Sequence, residues 1–151
     1  MTSESEAAGF RQDDWYCLPL RIYYEDTDAG GIVYYANYLR FAERARTEML
    51  RHAGIEQQAF RAQNGLIFAV SSCQIHYRQP ARLDDRIIVK VRVEAMTAAR
   101  IKMQQEIWRD GDRLADLEVW IVCLREDGRP ARVPSMVKAS LELFTREGKA
   151  D

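Results

Sequence analysis

The sequence predicts an α+β fold in which an antiparallel sheet of about five strands carries one long helix on one face. Three observations predict it. One extended stretch repeats apolar residues at helical spacing. The chain after it is nearly all alternating strand pattern, and turn signals, not further long helices, separate those strands. Runs of strands with the helix segregated to one face argue this layer arrangement.

The elements follow in order. "WYCLPLRIYY" (Trp15 to Tyr24) is aromatic-rich and reads as a strand. Pro19 within it predicts an edge or an irregular start. From about Tyr35 to Ala53 the pattern is helical, with Tyr35, Tyr38, Ala42, Ala45 and Met49 spaced alternately by three and four. Gly54 is a natural stop for that helix. "EQQAFRAQNG" is a short helical connector, and "LIFAVSSCQIHYR" is the second strand. "RIIVKVRVEAM" sets Ile87, Val89, Val91 and Val93 on one face. "RIKMQQEIWR" does the same with Ile101, Met103, Gln105 and Ile107, and Asp110-Gly111 signals a hairpin. "RLADLEVWIVCLR" is the last long strand, with Leu117, Val119, Ile121 and Cys123 on one face. "PSMVKASLELF" closes the chain as a short strand or a helical turn. Residues 1–14 and 146–151 are expected to be tails around a single domain over 15–145. Ile88 and Trp108 fall on the polar-leaning sides of their strands, which argues for self-association over the second sheet face.

The bulk properties exclude several function classes. The 151 residues carry a formal net charge of −1, so no global basic field points to nucleic acid or an anionic membrane. No apolar stretch is long enough for membrane insertion, and the polar N-terminus lacks the pattern of a secretory signal. Cys17, Cys73 and Cys123 are odd in number and widely spaced, as in free thiols of a cytoplasmic protein. With only His52 and His76, and no CxxC or HExxH, the chain predicts no metal site and no cofactor. Cys73 and His76 are three apart on a strand, which puts them on opposite faces and argues against a Cys–His pair. GxSxG, GxGxxG and Walker patterns are absent.

The chemistry concentrates in "YYEDTDAGGIVYYANY", Tyr23 to Tyr38, where Glu25, Asp26 and Asp28 precede Gly30 and Gly31 and a helix start follows. Such residues also make up any ordinary strand-to-helix loop. Here the free N–H groups of the helix start point back toward the acids, and the glycines allow close backbone approach. A carboxylate beside helix N-terminal donors is a minimal acyl-transfer site. The N–H groups bind the developing oxyanion, and the carboxylate attacks or activates water. Without histidine or metal it needs a good leaving group, and a thiolate is one.

The stretch "YYEDTDAGGIVYYANYLRFAERARTEMLR", with "QPARLDDRIIV" further on, resembles the hotdog-fold acyl-CoA thioesterases. Within them it is similar to the 4-hydroxybenzoyl-CoA thioesterase group and, closer still, to the YbgC-type enzymes associated with the Tol-Pal genes. The resemblance runs from about Leu20 to Leu143. It implies a sheet wrapped around the central helix and hydrolysis of a short- to medium-chain or aromatic acyl-CoA. It implies Asp28 as the catalytic carboxylate, nucleophile or general base, and the backbone N–H of Tyr35 as the carbonyl-polarising donor, aided by Gly30 and Gly31. It implies a homodimer or homotetramer with coenzyme A lying across the partner subunit. Arg129, Arg132 and Lys138 are the candidates for its phosphates. YbgC-type enzymes commonly carry histidine where this chain has Tyr35, and the 4-hydroxybenzoyl-CoA group carries tyrosine. The backbone role survives that change. A side-chain acid–base role does not. Two alternatives remain: a hotdog dehydratase, which would need a histidine this loop lacks, and a non-catalytic module binding acyl carrier protein or a lipid-synthesis enzyme.

Overall fold

The computed structural model describes residues 9–146. The strands are β1 (Phe10–Gln12), β2 (Trp15–Arg21), β3 (Leu66–Tyr77), β4 (Arg86–Met96), β5 (Arg100–Arg109), β6 (Asp112–Arg125) and β7 (Pro130–Ala131). The helices are α1 (Asn37–His52), α2 (Gln57–Asn64) and α3 (Ser135–Leu141). The sheet has seven strands, not five, in the order β1-β2-β4-β5-β6-β3, with β7 paired to β6. Every ladder is antiparallel.

Strand alternation places the core where the sequence puts it. Ile87, Val89, Val91 and Val93 are buried, as are Ile101, Met103, Gln105 and Ile107, and Leu117, Val119, Ile121 and Cys123. Against this face α1 lays Tyr38, Phe41, Ala42, Ala45, Met49 and Leu50. Ala42 and Ala45 are fully buried, and their small side chains let the helix lie close to the sheet. Buried Gln105 is satisfied: its amide donates to the Ala42 carbonyl at 3.0 Å and its oxygen accepts from Arg46 at 2.9 Å.

Several expectations need correction. The N-terminal tail is shorter than 1–14, because Phe10–Gln12 pairs with β2 and Asp14 meets Arg92 at 3.2 Å. Residues 1–8 of that expected tail, and 147–151 of the C-terminal one, lie outside the described residues. Arg146, assigned to the second tail, is anchored to the Val93 carbonyl and to Glu94. The strands after α2 are not simply joined by hairpins: β3 pairs with β6, at the far edge of the sheet. Pro19 is an edge residue, since β1 pairs only with Trp15–Cys17 and ends before it. The closing segment is the helix α3 followed by a 3-10 turn, Glu142–Phe144, which buries Val137, Leu141 and Phe144. The outer face of the sheet carries half-buried aromatic and basic side chains. Ile88 pairs with Trp108, and Lys90, Arg92, Arg100, Lys102 and Arg113 lie over the rings of Trp15, Trp108 and Trp120.

Two ion-pair centres should make the fold acid-sensitive. Burial pushes the Asp85 and Asp116 carboxyls up, but hydrogen bonds to Arg109 and the Arg82 N–H at Asp85, and to Arg113 and Arg78 at Asp116, outweigh it. Both carboxyls end below the ordinary carboxylate value. A depressed folded-state pKa contributes stability that is complete above the unfolded value and is lost as pH falls through the folded one. Thermal midpoints measured across pH should therefore fall below about pH 4. Asp85→Asn should melt lower at neutral pH and decline less on acidification. An acid decline as steep as wild type in that variant would remove Asp85 from the account.

Candidate active site

The acid loop and the helix start are bound into one unit. Thr27 pairs with Val33 in an antiparallel bridge. Asp28 N–H donates to the Ile32 carbonyl at 2.8 Å and Tyr34 N–H to the Asp26 carbonyl at 3.0 Å. The Asn37 amide also donates to the Asp26 carbonyl, at 2.9 Å. This ladder sets Asp28 opposite Ile32, three residues before Tyr35. Strand rise puts Tyr35 at most roughly 10 Å along the chain from Ile32, and Asp28 lies one inter-strand spacing, about 5 Å, across from Ile32.

The three carboxylates separate by role. Asp26 Oδ2 accepts the Tyr23 N–H at 2.8 Å and closes the 3-10 turn Tyr24–Asp26. Glu25 is exposed. Asp28 is exposed too, and only its Oδ1 is engaged, by the Gly30 N–H at 2.8 Å. Among the described residues nothing holds Oδ2. The bond to Gly30 fixes the carboxylate plane and leaves its other oxygen for water or substrate.

The two glycines serve this loop in different ways. Gly31 has φ +81, a left-handed backbone that disfavours any side chain, yet a Cβ there would meet nothing within 4 Å. At Gly30 a Cβ would sit 3.3 Å from Asp28 Oδ1 and press on the carboxylate. Gly31 is a turn requirement, and Gly30 keeps room for Asp28.

The helix begins at Asn37, two residues later than the pattern predicts. Tyr34, Tyr35 and Ala36 form a turn ahead of it, with Asn37 N–H bonded to the Tyr34 carbonyl and Tyr38 N–H to that of Tyr35. Tyr35 therefore leaves the buried stripe and is 62% exposed. Among the described residues, no acceptor takes the backbone N–H of Tyr35 or of Ala36.

The second motif, "QPARLDD", braces this unit. Val33 N–H donates to the Ala81 carbonyl, and Ala81 N–H donates to the buried Tyr38 hydroxyl at 2.9 Å. Arg109 ties the same loop through the Pro80 carbonyl and Asp85.

The expected coenzyme A residues lie elsewhere in the protomer. Arg129 and Arg132 are exposed beside β7, and Lys138 is half-buried on α3. β7 sits across β6 from Phe68, whereas Tyr77, next to Tyr35, lies at the other end of β3. The two ends are eight positions apart on β6, Ala115 to Cys123, roughly 25 Å along the strand. One protomer does not bring these cations to Asp28. Sequence reasoning missed Tyr77, whose hydroxyl reaches the Tyr35 carbonyl at 3.1 Å. It also missed Arg46, whose guanidinium borders a mixed cavity of about 260 Å³ lined by Glu43, Thr47, Leu50, Phe68, Met103 and Ile121. Burial pushes the Arg46 pKa down. Its only sequence signal was a cation on the edge of the apolar stripe of α1. Among the described residues no His, Cys, Asp and Glu cluster could hold a metal, and no helix is long and apolar enough to cross a membrane.

The model of the thioesterase-like superfamily matches residues 23–141, from the acid loop to the end of α3. The chain belongs to that superfamily. It is 40% identical over 129 residues to the acyl-CoA thioesterase YbgC of Haemophilus influenzae, spanning 85% of this chain and 95% of the relative. A solved probable thioesterase from Bartonella henselae matches with TM-score 0.76 and 34% identity, covering 80% of this chain and 99% of that one. A 4-hydroxybenzoyl CoA thioesterase bound to 4-hydroxybenzoyl CoA superposes with TM-score 0.81 at 19% identity, covering 85% of this chain and 99% of that one. At that identity the likeness speaks for the hotdog fold alone. The expected thioesterase family and hotdog architecture are those found.

Proposed function

We propose that this chain hydrolyses acyl-CoA thioesters, with Asp28 as the catalytic carboxylate and the Tyr35 N–H as the oxyanion donor. The observation that carries the reading is the pairing of a half-engaged carboxylate with an unclaimed N–H across one short ladder. The thioester carbonyl lies against the N–H, which stabilises negative charge as the carbon becomes tetrahedral. Asp28 attacks that carbon or takes a proton from the water that does. The C–S bond then breaks, and the coenzyme A thiolate leaves with the acyl group released as the free acid. If Asp28 attacks, water cleaves the resulting anhydride in a second step.

The working form is a homodimer or homotetramer. β3 is twelve residues long, largely exposed and unpaired on one side among the described residues, an edge that pairing with a second copy would cover. A partner is also the way for Arg129 and Arg132, beside β7 and roughly 25 Å from the site along the strand, to reach coenzyme A phosphates, with Lys138 behind them. Free Cys17, Cys73 and Cys123 fit a cytoplasmic enzyme.

The test is thiol release from a panel running from acetyl-CoA to palmitoyl-CoA, with benzoyl types included. Turnover of at least one member is expected. No turnover of any member, with none on acyl carrier protein thioesters either, would move the protein to a non-catalytic binding role.

A further inference from the structure

The Tyr77 hydroxyl donates to the Tyr35 carbonyl. That carbonyl shares its peptide unit with the Ala36 N–H, the second unclaimed N–H at the helix start. We propose that Tyr77 is a positioning residue of the oxyanion site: its hydroxyl fixes and polarises the Tyr35–Ala36 peptide, so that the Ala36 N–H joins the Tyr35 N–H on the thioester carbonyl. The inference rests on the thioesterase reading above.

A hydrogen bond accepted at a carbonyl draws density from the amide nitrogen and makes its N–H a stronger donor. The Tyr35 carbonyl accepts two, from Tyr77 and from the Tyr38 N–H at 3.3 Å. They arrive from different elements, the end of β3 and the first turn of α1, so together they set the peptide plane. The Tyr77 ring is itself held, edge-on to Tyr38 at 5.3 Å and to Tyr35 at 6.2 Å between centroids. Tyr38 is locked in turn by the Ala81 N–H. Tyr77 does not fill core: it is 45% exposed and borders an open cavity of about 380 Å³ with Ile32, Val33 and Tyr35. Partial burial, with Tyr35 and Tyr38 adding to it, raises the phenol pKa; the hydroxyl of a tyrosine is protonated at neutral pH in any case.

Tyr77→Phe keeps the ring and deletes the donor. kcat should fall roughly tenfold, the scale of one hydrogen bond, with KM within about twofold. A residue that merely glued β3 to α1 would lower the melting temperature without this split. Infrared spectra of acyl-CoA carrying a ¹³C carbonyl give a direct readout. Bound to Asp28→Asn, its carbonyl stretch should lie below the solution value, and adding Tyr77→Phe should move it back up. Should Tyr77→Phe fail to fold, difluorotyrosine at position 77, measured at a pH acidic enough to keep its more acidic phenol protonated, keeps the bond and strengthens it, and the stretch should move further down. Unchanged kcat and an unchanged stretch in a folded variant overturn the inference. In that case Asp28-dependent turnover by wild type leaves the thioesterase reading standing. No turnover by wild type on the acyl-CoA panel overturns both.

Discussion

Asp28→Asn should lower kcat by at least about a hundredfold, the usual scale for losing a general acid–base group, and should leave the fold unchanged. The substitution is nearly isosteric, and its side-chain oxygen still accepts from Gly30 N–H, so the loop keeps its shape. Asp28 is exposed, and surface changes away from structural features stay within about 0.5 kcal/mol. Lost activity with an unchanged melting temperature is therefore loss of chemistry. Asp26→Asn is the control. Asp26 serves the loop through its carbonyl, and its carboxylate serves only the Tyr23 N–H, which asparagine also satisfies. Its kcat should stay near wild type. If Asp26→Asn were the inactive variant and Asp28→Asn the active one, the catalytic assignment would be reversed. If both kept wild-type rates, neither carboxylate would be the catalytic group.

What the sequence revealed depends on how local each signal is. Strand faces follow a period of two, so even polar Gln105 was placed inward correctly, between Met103 and Ile107. Strand order is a property of pairs of distant segments. No alternation within "LIFAVSSCQIHYR" distinguishes a neighbour of β4 from the far edge beside β6. The short strand β1 is exposed at each residue and has no periodic mark at all. The helix start moved for a reason of competition. Tyr35 fits the apolar stripe by spacing, but its backbone belongs to a turn that the Asp26 carbonyl, the Asn37 amide and the Tyr77 hydroxyl together hold. At the site, the acid and the glycine turn were legible because they lie within a few residues of each other. Tyr77 is forty-two positions away from Tyr35 and met it only through folding. Arg129, Arg132 and Lys138 follow from the resemblance, as cations near the end of the last long strand that would meet coenzyme A across a partner subunit, and a single protomer does not bear on that expectation.

Phe144→Ala should cost about 3–5 kcal/mol, the range for emptying a buried aromatic site. Phe144 is fully buried and stands edge-on to Tyr16 of β2 at 5.8 Å and to His52 at the end of α1 at 5.7 Å. One ring thus joins the edge of the sheet, the long helix and the C-terminal segment. The flanking contacts cannot collapse into the space easily, because each belongs to a different element. Tyr16 is fixed by its ladder to Val91 and by the Gly9 N–H on its hydroxyl. Thr145 is bridged to Val93, and Arg146 N–H is bonded to the Val93 carbonyl. Against a typical total of about 5–15 kcal/mol, such a loss shifts the denaturation midpoint far, and guanidinium titration measures it directly. The substitution lies at the far end of α1 from Asp28 and Tyr35, so the variant, where still folded, should keep its kcat. A stability loss below about 1 kcal/mol would mean that the C-terminal segment packs on the domain without belonging to its core. A large loss would make residues up to Arg146 part of the folding unit and set the boundary for any truncation.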